Sequence, residues 1–211
     1  MNDKYQITDI EHPEYPFLHR IQALREINDN VSAGDLGGYV ESEKNLSYEP
    51  GDTAWIYDDA ICCGEAYVSR HSELHNCAVA CDNAYITNAA VMLEASRAED
   101  DSYLSCATLT DHACISGMSM VQSIPDDRDA SPTIAGTCRV YGRVIGDVTL
   151  YGSTVIMSSE TIENRSLDTL VLNHGVKSIV RAESRDVLTP RRATQPERPA
   201  AQKPKHRGQE R

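Results

Sequence analysis

Small and apolar residues recur along this chain at a spacing of six, the period of neither an α-helix nor an alternating strand. From Ala54 the chain divides without a gap into eleven hexads: AWIYDD, AICCGE, AYVSRH, SELHNC, AVACDN, AYITNA, AVMLEA, SRAEDD, SYLSCA, TLTDHA and CISGMS. The first residue of each is small, from Ala54, Ala60, Ala66 and Ser72 through Ser102 to Thr108 and Cys114. The third is mostly aliphatic, as in Ile56, Val68, Leu74, Ile86, Met92 and Leu104, and weakens to Thr110 and Ser116 in the last two hexads. A fixed period of this kind marks stacked repeats. Each hexad is read as one short strand and one corner. Three hexads then close a triangular coil of about 18 residues, with neighbouring coils about 4.8 Å apart. The third-position aliphatics fill the interior, and the small first-position residues sit where the corners crowd. The fold class expected is all-β, a single-stranded parallel β-helix.

The phase extends beyond the hexads with slips. Val40 and Leu46 are six apart, so the first coil is expected to begin within 38–47, with Tyr48 to Asp52 as an inserted turn. Residues 1–37 read as a cap over the open end of the solenoid. Residues 120–132, MVQSIPDDRDASP, break the phase and read as a protruding acidic loop. Ile134 and Val140 resume it, followed by Ile145, Leu150 and Val155, and closing strands are expected within 164–180. The β-helix is therefore assigned to 38–180. The Pro-rich, polar segment 181–211 is assigned to a disordered basic tail.

An aliphatic residue, two or three free positions and then a small residue is the pattern of the hexapeptide-repeat left-handed β-helix proteins, which the eleven hexads resemble. The resemblance implies a left-handed coil, which the usual right-handed crossover preference would not give. It also implies trimeric assembly. In many members it implies acyl transfer by a histidine general base, with coenzyme A in the cleft between subunits. The leading segment, LHRIQALR followed by AGDLGGYVESEKNLS, is similar to the start of phage and prophage hexapeptide proteins of mostly unknown role.

A coil of this size sets residues 18 apart side by side. Tyr67, Tyr85 and Tyr103 are expected to form one outward ladder at the second hexad position. The other faces carry Trp55, Glu73, Val91 and Leu109, and Ile61, Val79, Arg97 and Ile115. All of these except Glu73 and Arg97 are apolar or aromatic, which a solvated face does not need. The nine define an expected interface with another subunit or a partner, with a homotrimer favoured. Cys63 and Cys81 should also be neighbours. His75 and Cys77 occupy different hexad positions, so the four ligands zinc needs do not converge and no metal is assigned. Cys62, Cys114 and Cys138 are expected inward.

Charge sharpens the functional reading. Residues 1–184 carry 12 basic and 29 acidic side chains, whereas 185–211 carry 8 and 3. An acidic body repels phosphate and suits a basic protein partner or imitation of nucleic acid. The basic, aromatic-interleaved patches of a nucleic-acid reader are missing from it. Glu99, Asp100, Asp101, Asp126, Asp127 and Asp129 are the expected acidic partner-binding set. Seven cysteines, an opening MNDKYQITDI without a basic and apolar leader, and the lack of a long apolar run point to a reduced, cytoplasmic setting without a membrane span.

Catalysis would need a histidine, and His71, His75, His112 and His174 are the candidates. Column arithmetic aligns Tyr57, His75, Leu93 and Asp111, but leaves His75 and Asp111 two coils, roughly 10 Å, apart, too far for an orienting bond. No phosphate loop, dinucleotide fingerprint, nucleophile elbow or HExxH motif is present. No catalytic residue or cofactor is assigned. The expected function is that of a non-catalytic phage-type interaction protein, in its specific form an acidic inhibitor of a host nucleic-acid-handling or defence protein. The alternative is a divergent acyltransferase using coenzyme A.

Overall fold

In a computed structural model that describes residues 2–124 and 130–182, the chain winds as a left-handed parallel β-solenoid of about seven turns. Its three walls are a nine-stranded, an eight-stranded and a six-stranded sheet, here faces I, II and III. In the central coils each strand is two or three residues long and pairs in parallel with the strands one coil before and after. Ile61–Cys62 pairs with Val79–Ala80 on face I, Trp55–Ile56 with Glu73–Leu74 on face II, and Tyr67–Val68 with Tyr85–Ile86 on face III. The offset is 18 residues in each case. The interior column runs through Val40, Leu46, Ile56, Cys62, Val68, Leu74, Ala80, Ile86, Met92, Ala98 and Leu104, all fully buried. Ala54, Ala60, Ala66, Ala78, Ala84 and Ala90 are buried at the corners, where a larger side chain would overpack.

The period first shortens after Leu104, and in the later coils it falls to 16 where Ile134 pairs with Leu150 and Val140 with Ile156. Val91 pairs with Thr108 and Met92 with Leu109, Ala98 with Ile115, and Leu104 with Val121, an offset of 17. The missing residue belongs to one corner. After Ser69 the chain turns through two left-handed residues, Arg70 and His71, and after Thr87 through Asn88 and Ala89, but after Ser105 only Cys106 has positive φ. Ala107 and Ala113 therefore take the crowded corner positions, while Thr108 and Cys114 face outward. Leu109 and Ile115, expected on the outer surface, are fully buried in the core. Cys114, expected inward, lies on the outer side of its strand near Glu99, although buried there, whereas Cys138 is in the core as expected, fully buried at a corner.

The later coils also differ from the sequence reading. Met120–Gln122 is a face III strand, so the break begins after it, and residues 125–129 of the expected acidic loop lie outside the described residues. Thr133–Ile134 rejoins face II beside Thr108–Leu109. Val144, Val148, Leu150 and Ile156 point inward, whereas Ile145 and Val155 face out. The expected tail from 183 onward likewise lies outside the described residues.

At the leading end, Tyr5–Glu11, His19–Ala23 and Leu36–Val40 form an antiparallel extension of face I, joined to the coils where Tyr39 pairs with Ile61. Tyr5, Ile21, Ile27 and Val31 are buried over the first coil. A Cβ at Gly38 would run into the Ala60 carbonyl, so only glycine lets the backbone pass there. Lys4 is fully buried, and its Nζ donates to the carbonyls of Ser47 and Ala54, both at 2.7 Å. Tyr5 donates its hydroxyl to the Leu46 carbonyl at 2.9 Å. These bonds satisfy carbonyls of the first coil that have no earlier coil to pair with. The far end closes with an antiparallel hairpin, Thr169–Asn173 and Val176–Val180, turned by His174 and Gly175 at φ 49° and 79°. No helix among the described residues is long and apolar enough to cross a membrane.

Candidate interaction surface

Face III carries the tyrosine ladder. Tyr67 and Tyr85 stack with ring centroids 5.7 Å apart, and Tyr85 and Tyr103 with centroids 5.8 Å apart. Beside them runs a row of hydroxyls, Ser69 Oγ lying 3.2 Å from Thr87 Oγ1 and Ser105 Oγ accepting from Asn88 Nδ2 at 2.9 Å. The inserted turn leans against the ladder and leaves a groove of about 400 Å³ that includes Glu49, Asp52, Tyr67, Arg70, His71 and Tyr85. Asp52 is committed to holding that turn, accepting N–H groups from Ala54, Arg70 and His71. Burial raises its carboxyl pKa, but hydrogen bonds from Ser47 and those three amides outweigh it and hold it below the usual range. His71 Nδ1 lies 2.8 Å from Thr53 Oγ1.

The rest of the expected apolar interface is dispersed. Trp55 is covered by the leading segment and meets Tyr5 edge-on at 6.4 Å. Ile61 is buried against Leu18 and Tyr39. Leu109 and Ile115 are interior because of the short corner. What remains outside is Tyr67, Tyr85 and Tyr103 on face III, Val91 on face II and Val79 on face I. Trp55, Leu109 and Ile115 are core residues. They are not interface residues.

The acidic residues have a structural task that their abundance alone did not reveal. Asp58, Asn76, Asp82, Glu94, Asp100 and Asp111 turn the corners at φ between 50° and 59°, a region that Asp and Asn enter more easily than most residues. Most of these side chains then cap the next coil. Asp58 Oδ2 accepts from Asn76 N at 2.9 Å, Asn76 Oδ1 from Glu94 N at 3.1 Å, and Asp82 Oδ2 from Asp100 N at 3.2 Å. Asp100 Oδ2 accepts from Gly117 N at 2.8 Å and Asp111 Oδ2 from Gly136 N at 2.7 Å. The signal was present as Asp and Asn at the fifth hexad position for Asp58, Asn76, Asp82 and Asp100, while Asp111 falls at the fourth because of the short corner. Of the expected acidic set, Glu99 pairs with Arg97, Asp100 is one of these caps, and Asp101 accepts from Asn83 Nδ2 at 2.8 Å. The three are contiguous at the corner between faces I and III. Asp126, Asp127 and Asp129 lie outside the described residues.

One histidine has an acidic partner that the column arithmetic missed. His75 Nε2 is 3.0 Å from Glu73 Oε2, and the Tyr57 ring lies flat on the imidazole with centroids 4.2 Å apart. Tyr57 Oη accepts from Asn28 Nδ2 at 2.9 Å. The hydrogen bond from His75 holds the Glu73 carboxyl below its usual range against the opposing effect of burial. Glu73 and His75 flank the inward Leu74 on one strand, so both point outward. Asp111 is not in this column, because the short corner sets Leu93 beside Leu109 and Thr110. His174 Nδ1 is 3.1 Å from Ser153 Oγ. Among the described residues no three His, Cys, Asp or Glu side chains gather as a metal site.

Repeat, parallel pairing and coil length are consistent with a hexapeptide-repeat left-handed β-helix, an architecture compatible with acyltransferases. No protein-family model and no curated protein matches the chain.

Proposed function

We propose that the protein is a non-catalytic interaction protein of the phage type, which occupies a basic groove on a host nucleic-acid-handling or defence protein from the cytoplasm of that host. The observation that carries this reading is the fixed acidic corner. A carboxylate tied by one oxygen to a backbone amide cannot swing away, so several form a rigid negative array at strand spacing. Self-association through the tyrosine face, as a trimer, belongs to the same reading.

The test uses immobilised protein and lysate of a bacterial host. Retained proteins should be displaced by duplex DNA at constant salt and by raising salt, because screening beyond about 10 Å sets in at 0.1 M. The combined change Glu99→Gln, Asp100→Asn and Asp101→Asn should abolish retention while leaving the melting transition in place. Retention indifferent to both salt and this change overturns the proposal.

The Glu73–His75 pair favours a second reading, divergent acyl transfer from coenzyme A with His75 as general base. Under it, coenzyme A binds in calorimetry, His75→Ala abolishes turnover, and the acid-neutralised variant still works.

A further inference from the structure

One hollow combines an apolar interior with an acidic rim, away from the tyrosine ladder. Residues 12–18, between the first two strands, arch over face I. His12 Nδ1 accepts from Glu14 N at 3.1 Å and Tyr15 N at 3.3 Å, and Leu18 N donates to the Tyr15 carbonyl at 2.9 Å. The His12 ring stands edge-on to Tyr39 at 4.6 Å, and the Arg20 guanidinium lies 4.4 Å above the Tyr39 ring. Leu18 is buried against Ile61 and Tyr39. The arch is therefore pinned at several points. It holds Phe17, the chain's single phenylalanine, 54 % exposed beside a half-exposed Tyr15. Beneath lies a hollow of about 220 Å³, floored by Ile61, Cys63, Val79 and Cys81 and bounded by Arg97.

Carboxylates surround the lining. Asp82 Oδ2 lies 3.6 Å from Cys81 Sγ, Glu41 Oε2 accepts from Gly64 N, next to Cys63, at 2.8 Å, and Glu99 is bonded to Arg97. Burial first, and then Asp82 and Glu99, push the Cys81 thiol up to about 12, so the floor stays uncharged. Among the described residues the one cation lining the hollow, Arg97, is paired with Glu99. Small-molecule sites usually enclose about 300 Å³ or more, and this hollow is smaller and open. Its size suits one large side chain.

We propose that this hollow receives a leucine-, methionine- or phenylalanine-sized side chain of a polypeptide whose neighbouring residues are lysine or arginine. The inference rests on the acidic-interaction reading and adds its anchor. An apolar side chain seated in a preformed pocket, with charges complementary at the rim, is how a few residues come to dominate an interface.

The test measures fluorescence anisotropy of labelled synthetic peptides with the full chain. Three peptides share a length: Lys/Arg flanks around a central Phe, the same flanks around Ala, and Asp/Glu flanks around Phe. The basic Phe peptide should bind at least about ten-fold more tightly than the basic Ala peptide. Val79→Trp, which fills the hollow from an outward position, should erase that difference without weakening the Ala peptide. Phe17→Ser, which removes one wall and leaves the coils untouched, should do the same if the tryptophan variant fails to fold. Asp82→Asn keeps an oxygen for the Asp100 amide, loses the charge, and should weaken both basic peptides alike. Equal, salt-sensitive binding of both basic peptides overturns the hollow and leaves the acidic reading standing. Binding of both Phe peptides regardless of flanking charge overturns the basic partner and the acidic reading with it. Binding by none of the three overturns the hollow as a peptide site, and the acidic reading then stands or falls on its displacement by DNA.

Discussion

Lys4 reaches into the first coil and donates from Nζ to the Ser47 carbonyl at 2.7 Å, with the Ala54 carbonyl taking a second bond. Burial pushes its pKa down from 10.5 to about 8, although Asp52 nearby acts the other way. Between these values the unfolded chain holds the proton and the folded chain releases it, so Lys4 adds stability as pH rises. The gain is lost as pH falls back through about 8. Five thiols oppose it, since burial raises Cys62, Cys63, Cys81, Cys114 and Cys138 and their stabilising contribution fades above the ordinary thiol range. Wild type minus Lys4→Met isolates the lysine. That difference in unfolding free energy should shift in favour of wild type by up to about 3 kcal/mol between pH 8 and 10.5 in denaturant titrations. A flat difference would show that the ammonium is not buried.

Ser96, Ser102 and Ser119 bury hydroxyls without a hydrogen-bond partner at corner positions that alanine occupies elsewhere. Ser72, at an equivalent position, accepts from Ala90 N at 3.2 Å. Replacing Ser96 or Ser102 with Ala should therefore stabilise by about 1 kcal/mol, whereas Ser72→Ala should not. Thermal melts of the single variants decide this.

The short corner makes neighbouring residues unequal. Leu109→Ala opens a cavity between coils and should cost about 2–5 kcal/mol, while Thr108→Ala on the outer surface should cost well under 1 kcal/mol. Equal melting shifts would restore the uninterrupted 18-residue register.

Tyr85 stands between two stacked neighbours at the centre of the tyrosine ladder on face III. Tyr85→Asp should lower stability by about 1–2 kcal/mol through the two lost stacks. It should also move the mass measured by light scattering towards that of a monomer. Wild-type protein that scatters as a monomer at high concentration overturns assembly through this face.

The hexad phase of small and aliphatic residues determined the solenoid, its coil length and its interior from Ile56 to Leu104, because an error in one coil is outvoted by its neighbours. It also set the tyrosine ladder, since residues one coil apart must stack. Tertiary structure decided the rest. A single-residue loss at Cys106 turned Leu109 and Ile115 inward, and the sequence disguised it because Thr108 and Cys114 are themselves small. Trp55 became core through Tyr5, fifty residues away, a contact that no local period encodes. The corner acids exchanged some of their freedom for backbone amides one coil on, which only the stacked geometry brings within reach. Glu73 and His75 shared an outward strand face in the sequence from the start, but only the fold stacks Tyr57 of the preceding coil on the imidazole and brings Asn28 of the leading segment to the Tyr57 hydroxyl.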